Sequence, residues 1–168
     1  MALTDIGNLA VRDPASEENE SKMRLLGGHT AVFQVVQKHV GCLKIQTHGM
    51  RVLGLFSCFM PTKELLGDIG YVEVILARME QYPDSCLVQK RGCLNINNLV
   101  KGMKVNAERV EKSGGIAMVI AAMKAHPTSY DVQQYGCHVL SDMGKWEEYR
   151  PLIARTCLAK FNNCSNCK

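Results

Sequence analysis

The amino-acid sequence predicts an all-α fold, a solenoid of stacked helical units, and three observations carry that prediction. First, three stretches of the chain are versions of one another. Gly27, Gly70 and Gly114 come into register 43 and then 44 residues apart. The segment Ile45-Gln46-Thr47-His48-Gly49-Met50 then falls on Val88-Gln89-Lys90-Arg91-Gly92-Cys93 and on Val132-Gln133-Gln134-Tyr135-Gly136-Cys137. Such a period marks units that bury their apolar faces only by stacking on neighbours. Second, apolar residues recur at helical spacing inside each copy. Third, 46% of the 168 residues are hydrophobic but only 6% are aromatic, a mixture suited to helices packed through Leu, Ile, Val, Met and Ala.

Each element follows from local signals, clearest in the third copy. A short helix over Asn106 to Lys112 is stopped by Gly114-Gly115, because glycine past a helix end takes up the left-handed backbone. Ile116, Val119, Ile120 and Met123 then stand at i, i+3, i+4 and i+7, the apolar face of a second helix. Their counterparts are Val72, Ile75, Leu76 and Met79 in the second copy, and His29, Val32, Phe33 and Val36 in the first. Pro83 and Pro127 end that helix, since proline cannot continue it. Asp84 and Ser85, like Thr128 and Ser129, are N-cap candidates for a third helix.

The third helix carries Val132, Gly136, Leu140 and Met143 on one face. The same slots hold Val88, Gly92, Ile96 and Leu99, and before them Ile45, Gly49, Leu53 and Phe56. Glycine inside a helix costs up to about 1 kcal/mol against alanine. Its recurrence at one slot predicts a second helix backbone crossing too closely for a Cβ. Cys93 and Cys137, each beside that glycine, are expected to pack as small apolar groups.

A short, a medium and a longer helix make a three-helix unit that resembles the armadillo repeat. The residues that carry the resemblance are Gly114-Gly115-Ile116, the Met-Lys-Ala-His-Pro run at 123–127, Val132-Gln133, Gly136-Cys137 and Asn98-Leu99. The first copy keeps Gly27-Gly28, Ile45-Gln46 and Gly49 but lacks the proline. The resemblance implies a right-handed superhelix whose third helices line a concave groove. Repeats of this kind occur in scaffold proteins and in the amino-terminal arrays of some large multidomain kinases.

On this frame residues 1–12 are the end of a third helix from an earlier unit, because Ile6-Gly7-Asn8-Leu9 matches Ile96-Asn97-Asn98-Leu99. Residues 13–61 form a degenerate unit entered by an acidic loop at 13–20. Residues 62–104 and 105–147 are full units. Residues 148–168 hold the first helix of a partial unit and a polar, Cys- and Asn-rich tail. The amino end looks sliced rather than capped, as in a fragment or a truncated member.

By helical angle, the face a third of a turn from the core stripe carries the candidate partner-binding residues. They are His48, Arg51 and Leu55, then Arg91, Leu94 and Asn98, then Tyr135, His138 and Asp142. The resemblance implies that the asparagine at Asn98 grips the backbone of an extended peptide, an amide being both donor and acceptor. Asn8 keeps that asparagine, whereas Leu55 and Asp142 replace it. Nuclear-import members carry tryptophan four residues earlier, but here those slots hold Thr4, Arg51, Leu94 and His138. The resemblance therefore does not extend to capture of a basic import signal. The groove suits a partner with acidic and apolar elements.

The charge balance of +4 is too mild for a nucleic-acid footprint, and no aromatic platform interleaves the basic residues. No apolar run reaches the length of a membrane span, and no signal-peptide pattern opens the chain. The eight cysteines are expected to be reduced, in cytoplasm or nucleus. Cys164-Ser165-Asn166-Cys167 supplies half of a structural zinc site. Without a second pair, and with only Cys157 and His138 to complete it, the segment reads as a polar tail. No phosphate loop, nucleophile elbow or paired catalytic carboxylates are present, so neither cofactor nor enzymatic activity is expected. Trp146 is placed to cover the junction before the last short helix.

Overall fold

The computed structural model describes the backbone of residues 16–161 and the side chains of residues 17–157, and every regular element among them is helical. The first unit contains α1 (Ser16–Leu25), α2 (Gly28–Lys38) and α3 (Leu43–Phe56). The second contains α4 (Met60–Asp68), α5 (Tyr71–Gln81) and α6 (Cys86–Val100). The third contains α7 (Lys104–Lys112), α8 (Gly115–Ala125) and α9 (Tyr130–Met143). A 3-10 turn at Glu147–Tyr149 leads into α10 (Arg150–Phe161). In each unit the second and third helices pack together, and α3, α6 and α9 also touch in succession. Helix α6 lies at the centre, in contact with α3, α4, α5, α7 and α9.

Periodicity explains most of this arrangement. The second-helix stripes are buried in all three copies apart from half-buried Met123, and so are the third-helix stripes apart from half-buried Ile45 and Leu140. Gly27, Gly70 and Gly114 adopt φ of 67°, 84° and 75°. Only glycine takes up that backbone without strain, so each lets the chain reverse from a first helix into a second. Ser85 and Ser129 cap the third helices, their hydroxyls accepting from the Val88 and Val132 amides. Trp146 packs edge-on against Tyr149 at the junction it was expected to cover.

The matched glutamines have a role that the alignment alone does not disclose. Gln89 Nε2 donates to the Met79 carbonyl at 2.8 Å and to the Tyr82 carbonyl at 2.9 Å. Gln133 Nε2 makes the same pair of bonds to Met123 at 2.7 Å and His126 at 3.1 Å. Gln46 repeats it with Val36 and His39, both at 2.8 Å. The carbonyls of Met79 and Met123 would ordinarily accept from the residue four positions on. Those residues are Pro83 and Pro127, which have no N–H. The glutamine amide supplies the missing donor, closing the end of the second helix.

Several expectations need correction. The recurring glycine does make room, but for a side chain rather than a backbone. A Cβ on Gly49, Gly92 or Gly136 would overlap Val36, Met79 or Met123 of the preceding helix. Cys93 is fully buried, its thiol pushed up to about 12 by burial, whereas Cys137 is exposed. They flank the same glycine, but α6 has helices on both sides and α9 has a neighbouring third helix on one. From Ser16 onward the acidic stretch is helix, with Glu17 and Glu18 in its first turn. Carboxylates there favour the positive end of the helix dipole. At the other end, a 3-10 turn covers Glu147–Tyr149, and α10 runs on to Phe161 with no glycine to stop it. Residues 1–12 lie outside the described residues.

Two buried polar groups test the core. Tyr71 is wholly buried, packs edge-on to Phe33 with ring centroids 6.1 Å apart, and its hydroxyl has no partner. Tyr71→Phe is expected to stabilise the fold by about 1 kcal/mol, since an unsatisfied buried hydroxyl opposes folding. An equal or lower urea midpoint would refute this. His29 is also wholly buried, with both ring nitrogens unpartnered and its ring 4.8 Å from Phe56. Burial lowers its pKa, partly opposed by Glu20 and reinforced by Arg24.

A lowered folded-state pKa means that the unfolded chain binds a proton the folded chain refuses. Stability present above about pH 6.5, the unfolded histidine value, is therefore lost as pH falls toward the folded-state pKa. His29→Leu should flatten the loss of stability between neutral and mildly acid pH. Parallel pH profiles for the variant and the parent would exclude His29 as its source.

Candidate functional site

The third helices bring the candidate residues to one succession of surfaces. Arg51 and Leu55 on α3 and Arg91, Leu94 and Asn98 on α6 line one depression of about 380 Å³. His138 and Asp142 on α9 line a second, of about 250 Å³, between α6 and α9. His48 and Tyr135 are half-buried beside these depressions in sequence but line neither. Tyr135 instead packs on the core and meets His138 edge-on, ring centroids 6.5 Å apart.

Several of these side chains also join helices. Asn98 Nδ2 donates to the Gly54 carbonyl on α3 at 2.9 Å, so its N–H serves the α3–α6 contact before any ligand. Arg91 donates to the Thr47 carbonyl, which holds its guanidinium against α3. Asn95, buried between them, gives its amide to the carbonyls of Met50 at 3.1 Å and Arg91 at 2.8 Å. Asp142 is nearly buried and paired with Lys145.

Electrostatically the two depressions differ. Among the described residues the first is lined by Arg51, Lys90 and Arg91 and by no Asp or Glu. Burial, then the Arg51 charge, lowers the Arg91 pKa. Burial also lowers the pKa of His48, and the side chains that add to the effect are Arg91, Arg51 and Lys44, all cations. Lys90 is tied to Asp131 of α9 at 2.6 Å. The second depression is mixed, with Lys101 and Lys145 around Asp142. Beneath it Asn97 is buried, its Oδ1 unpartnered.

The angular reading missed Lys101 and Lys145, although the signal was present. Extending the 91, 94, 98 stripe by three residues reaches Lys101, and extending 135, 138, 142 by three reaches Lys145. Gly54 and Asn95 had no such signal, because neither recurs in the other copies. Cys164 and Cys167 lie outside the described residues. Among the described residues no group of three His, Cys, Asp or Glu is placed to hold a metal, and no helix is long and apolar enough to cross a membrane. Comparison with protein-family models, curated proteins and solved structures returns no match.

Proposed function

We propose that the chain is a protein-interaction scaffold without enzymatic activity: a short right-handed solenoid of armadillo-type repeats that holds a partner peptide or helix along its third helices. The observation that supports this best is the succession of α3, α6 and α9, with two adjoining depressions along it. The recurrent glutamine bonds tie each third helix to the end of the second helix before it, whether or not a partner is present. A preformed surface loses little free energy to ordering when a partner arrives. The same reading keeps the thiols reduced, in cytoplasm or nucleus, and the six cysteines among the described residues are free.

The test is site-specific photocrosslinking. A photoreactive residue replaces Leu94 or His138 on the third helices, or Glu80 on α5 as a control. Partner adducts from the first two positions and few from the third support the reading. Adducts mainly from Glu80 would reject it. Arg91 and Asn98 are poor first choices for substitution, because both join α6 to α3.

A second reading is a structural element buried in a larger assembly or in a longer multidomain, kinase-linked chain. Leu25 and Leu26, 78% and 85% exposed at the end of α1, favour it. A clean monomer by light scattering counts against it.

A further inference from the structure

We propose that the depression between α6 and α9 receives the side-chain carboxamide of a glutamine from an extended segment of a partner protein. This rests on the groove reading above and names the chemical group recognised at one position along it. Two equivalent joints of the repeat are closed differently. At the α3–α6 joint, Asn98 Nδ2 donates to the Gly54 carbonyl at 2.9 Å. One unit later Asp142 stands in the place of Asn98, and Asn97 in the place of Gly54. A carboxylate only accepts, so Asp142 cannot donate to Asn97 as Asn98 does to Gly54.

The α6–α9 joint therefore presents acceptors from both helices. Asn97 and Asp142 are 9% and 8% exposed, and both line a depression of about 250 Å³. Asn97 Oδ1 has no hydrogen-bond partner among the described residues. An unpaired buried acceptor opposes folding, and an incoming donor recovers that free energy. Asp142 Oδ1 is met by Lys145, whose side chain is 65% exposed. A carboxylate offers about four acceptor sites, so this pair leaves room for a further donor.

The surroundings decide which donor fits. Lys101 and Lys145 line the depression, and the charge of buried Lys63 also reaches Asp142. An ammonium or guanidinium would enter among three lysines. A carboxylate would face Asp142 and bring no donor to Asn97. An apolar side chain would leave the Asn97 oxygen unpaired. A carboxamide carries no charge, gives its two N–H groups to Asn97 Oδ1 and Asp142, and accepts through its oxygen from Lys101 or Ser141. Depth favours a side chain over a backbone amide. Asn97 and Asp142 form the floor, whereas Lys101, His138, Ser141 and Lys145 are exposed above them. The stem of glutamine spans that depth, and the exposed rim side chains can turn aside to admit it.

The experiment titrates the full chain, labelled with a heavy nitrogen isotope, with the end-blocked peptide Ala-Leu-Gln-Leu-Ala, and follows amide resonances by NMR. Counterpart peptides carry alanine, glutamate or lysine at the centre. The glutamine peptide is expected to bind about tenfold more tightly than each counterpart, and to shift the Asn97 side-chain amide. Asp142→Asn restores the donor of the α3–α6 joint, and Asn97→Ala removes the acceptor. Each is expected to abolish the preference for glutamine. Circular dichroism verifies folding, and Asp142→Asn, close in shape to the parent, is informative even if Asn97→Ala unfolds.

Four peptides that bind alike while shifting residues of α3, α6 and α9 overturn the carboxamide inference and leave the groove reading standing. So does a glutamine preference that survives these substitutions, or tighter binding of the glutamate or lysine peptide. Binding that shifts only residues away from the third helices overturns both. Absence of binding by the glutamine peptide overturns the carboxamide inference.

Discussion

Gln89→Ala lowers the unfolding free energy by about 2–3 kcal/mol, an expectation built on the Met79 carbonyl it strands and the side-chain packing it removes. The Tyr82 carbonyl keeps a second donor in the Ser85 amide at 3.2 Å. The Met79 carbonyl does not, because Pro83 follows where an N–H would be. Urea titration gives the loss directly. Gln133→Ala should cost less, since Gln133 is only half-buried whereas Gln89 is 2% exposed.

Gln89→Glu sharpens the test. It preserves shape but sets acceptor oxygens against two carbonyls, so at neutral pH it should be worse than alanine. Burial and the facing carbonyls raise the folded-state pKa of that glutamate above its unfolded value of about 4.3. Stability is then regained toward acid pH, where a protonated carboxyl can donate, and lost as pH rises through the folded-state pKa. A variant equal to the parent at neutral pH would show that the amide donates nothing of consequence.

Gly54→Ala is expected to lose about 1–3 kcal/mol, although alanine favours a helix by up to about 1 kcal/mol over glycine. The added methyl would collide with Asn95 Oδ1. Asn95 cannot easily withdraw, because its Nδ2 is held by the Met50 and Arg91 carbonyls. Helices α3 and α6 must separate instead, stretching the 2.9 Å bond from Asn98 to the Gly54 carbonyl. A double-mutant cycle with Asn95→Ala isolates the cause, since removing the amide should recover much of the loss. Additive effects would place the damage elsewhere. Gly136→Ala makes a useful contrast: there the obstacle is the Met123 side chain, half-buried and flexible.

What the sequence made legible depends on whether a constraint recurs. The buried stripes, the left-handed glycines and the serine caps are dictated by neighbours within a few residues, and each appears two or three times. Gln46, Gln89 and Gln133 were visible as a pattern but not as a mechanism, because their bonds reach back seven and ten residues across a turn. Gly54 and Asn95 were invisible, since each acts once and between units. Cys137 shows the opposite failure. It shares a slot with buried Cys93, yet helices flank α6 on both sides and cover that slot only there. The partner-facing stripe was found by angle, while the bonds that engage Asn98 and Arg91 depend on how closely α3 approaches α6.

The Gly54–Asn95 joint also bears on how such a chain can grow. In the repeat register Gly54 corresponds to Asn97, and Asn95 corresponds to Val139, so the α6–α9 joint is built from different residues. A gene duplication that placed a second copy of the middle unit after itself would set a new Asn95 against Asn97, a bulky amide where the existing joint requires a bare backbone. The middle unit followed by its own twin would thus meet a clash at this joint that the third unit avoids. Kinship among the units is recorded in their period, whereas their order is recorded in these joints. Copying the middle unit in tandem would call for a change at that joint as well.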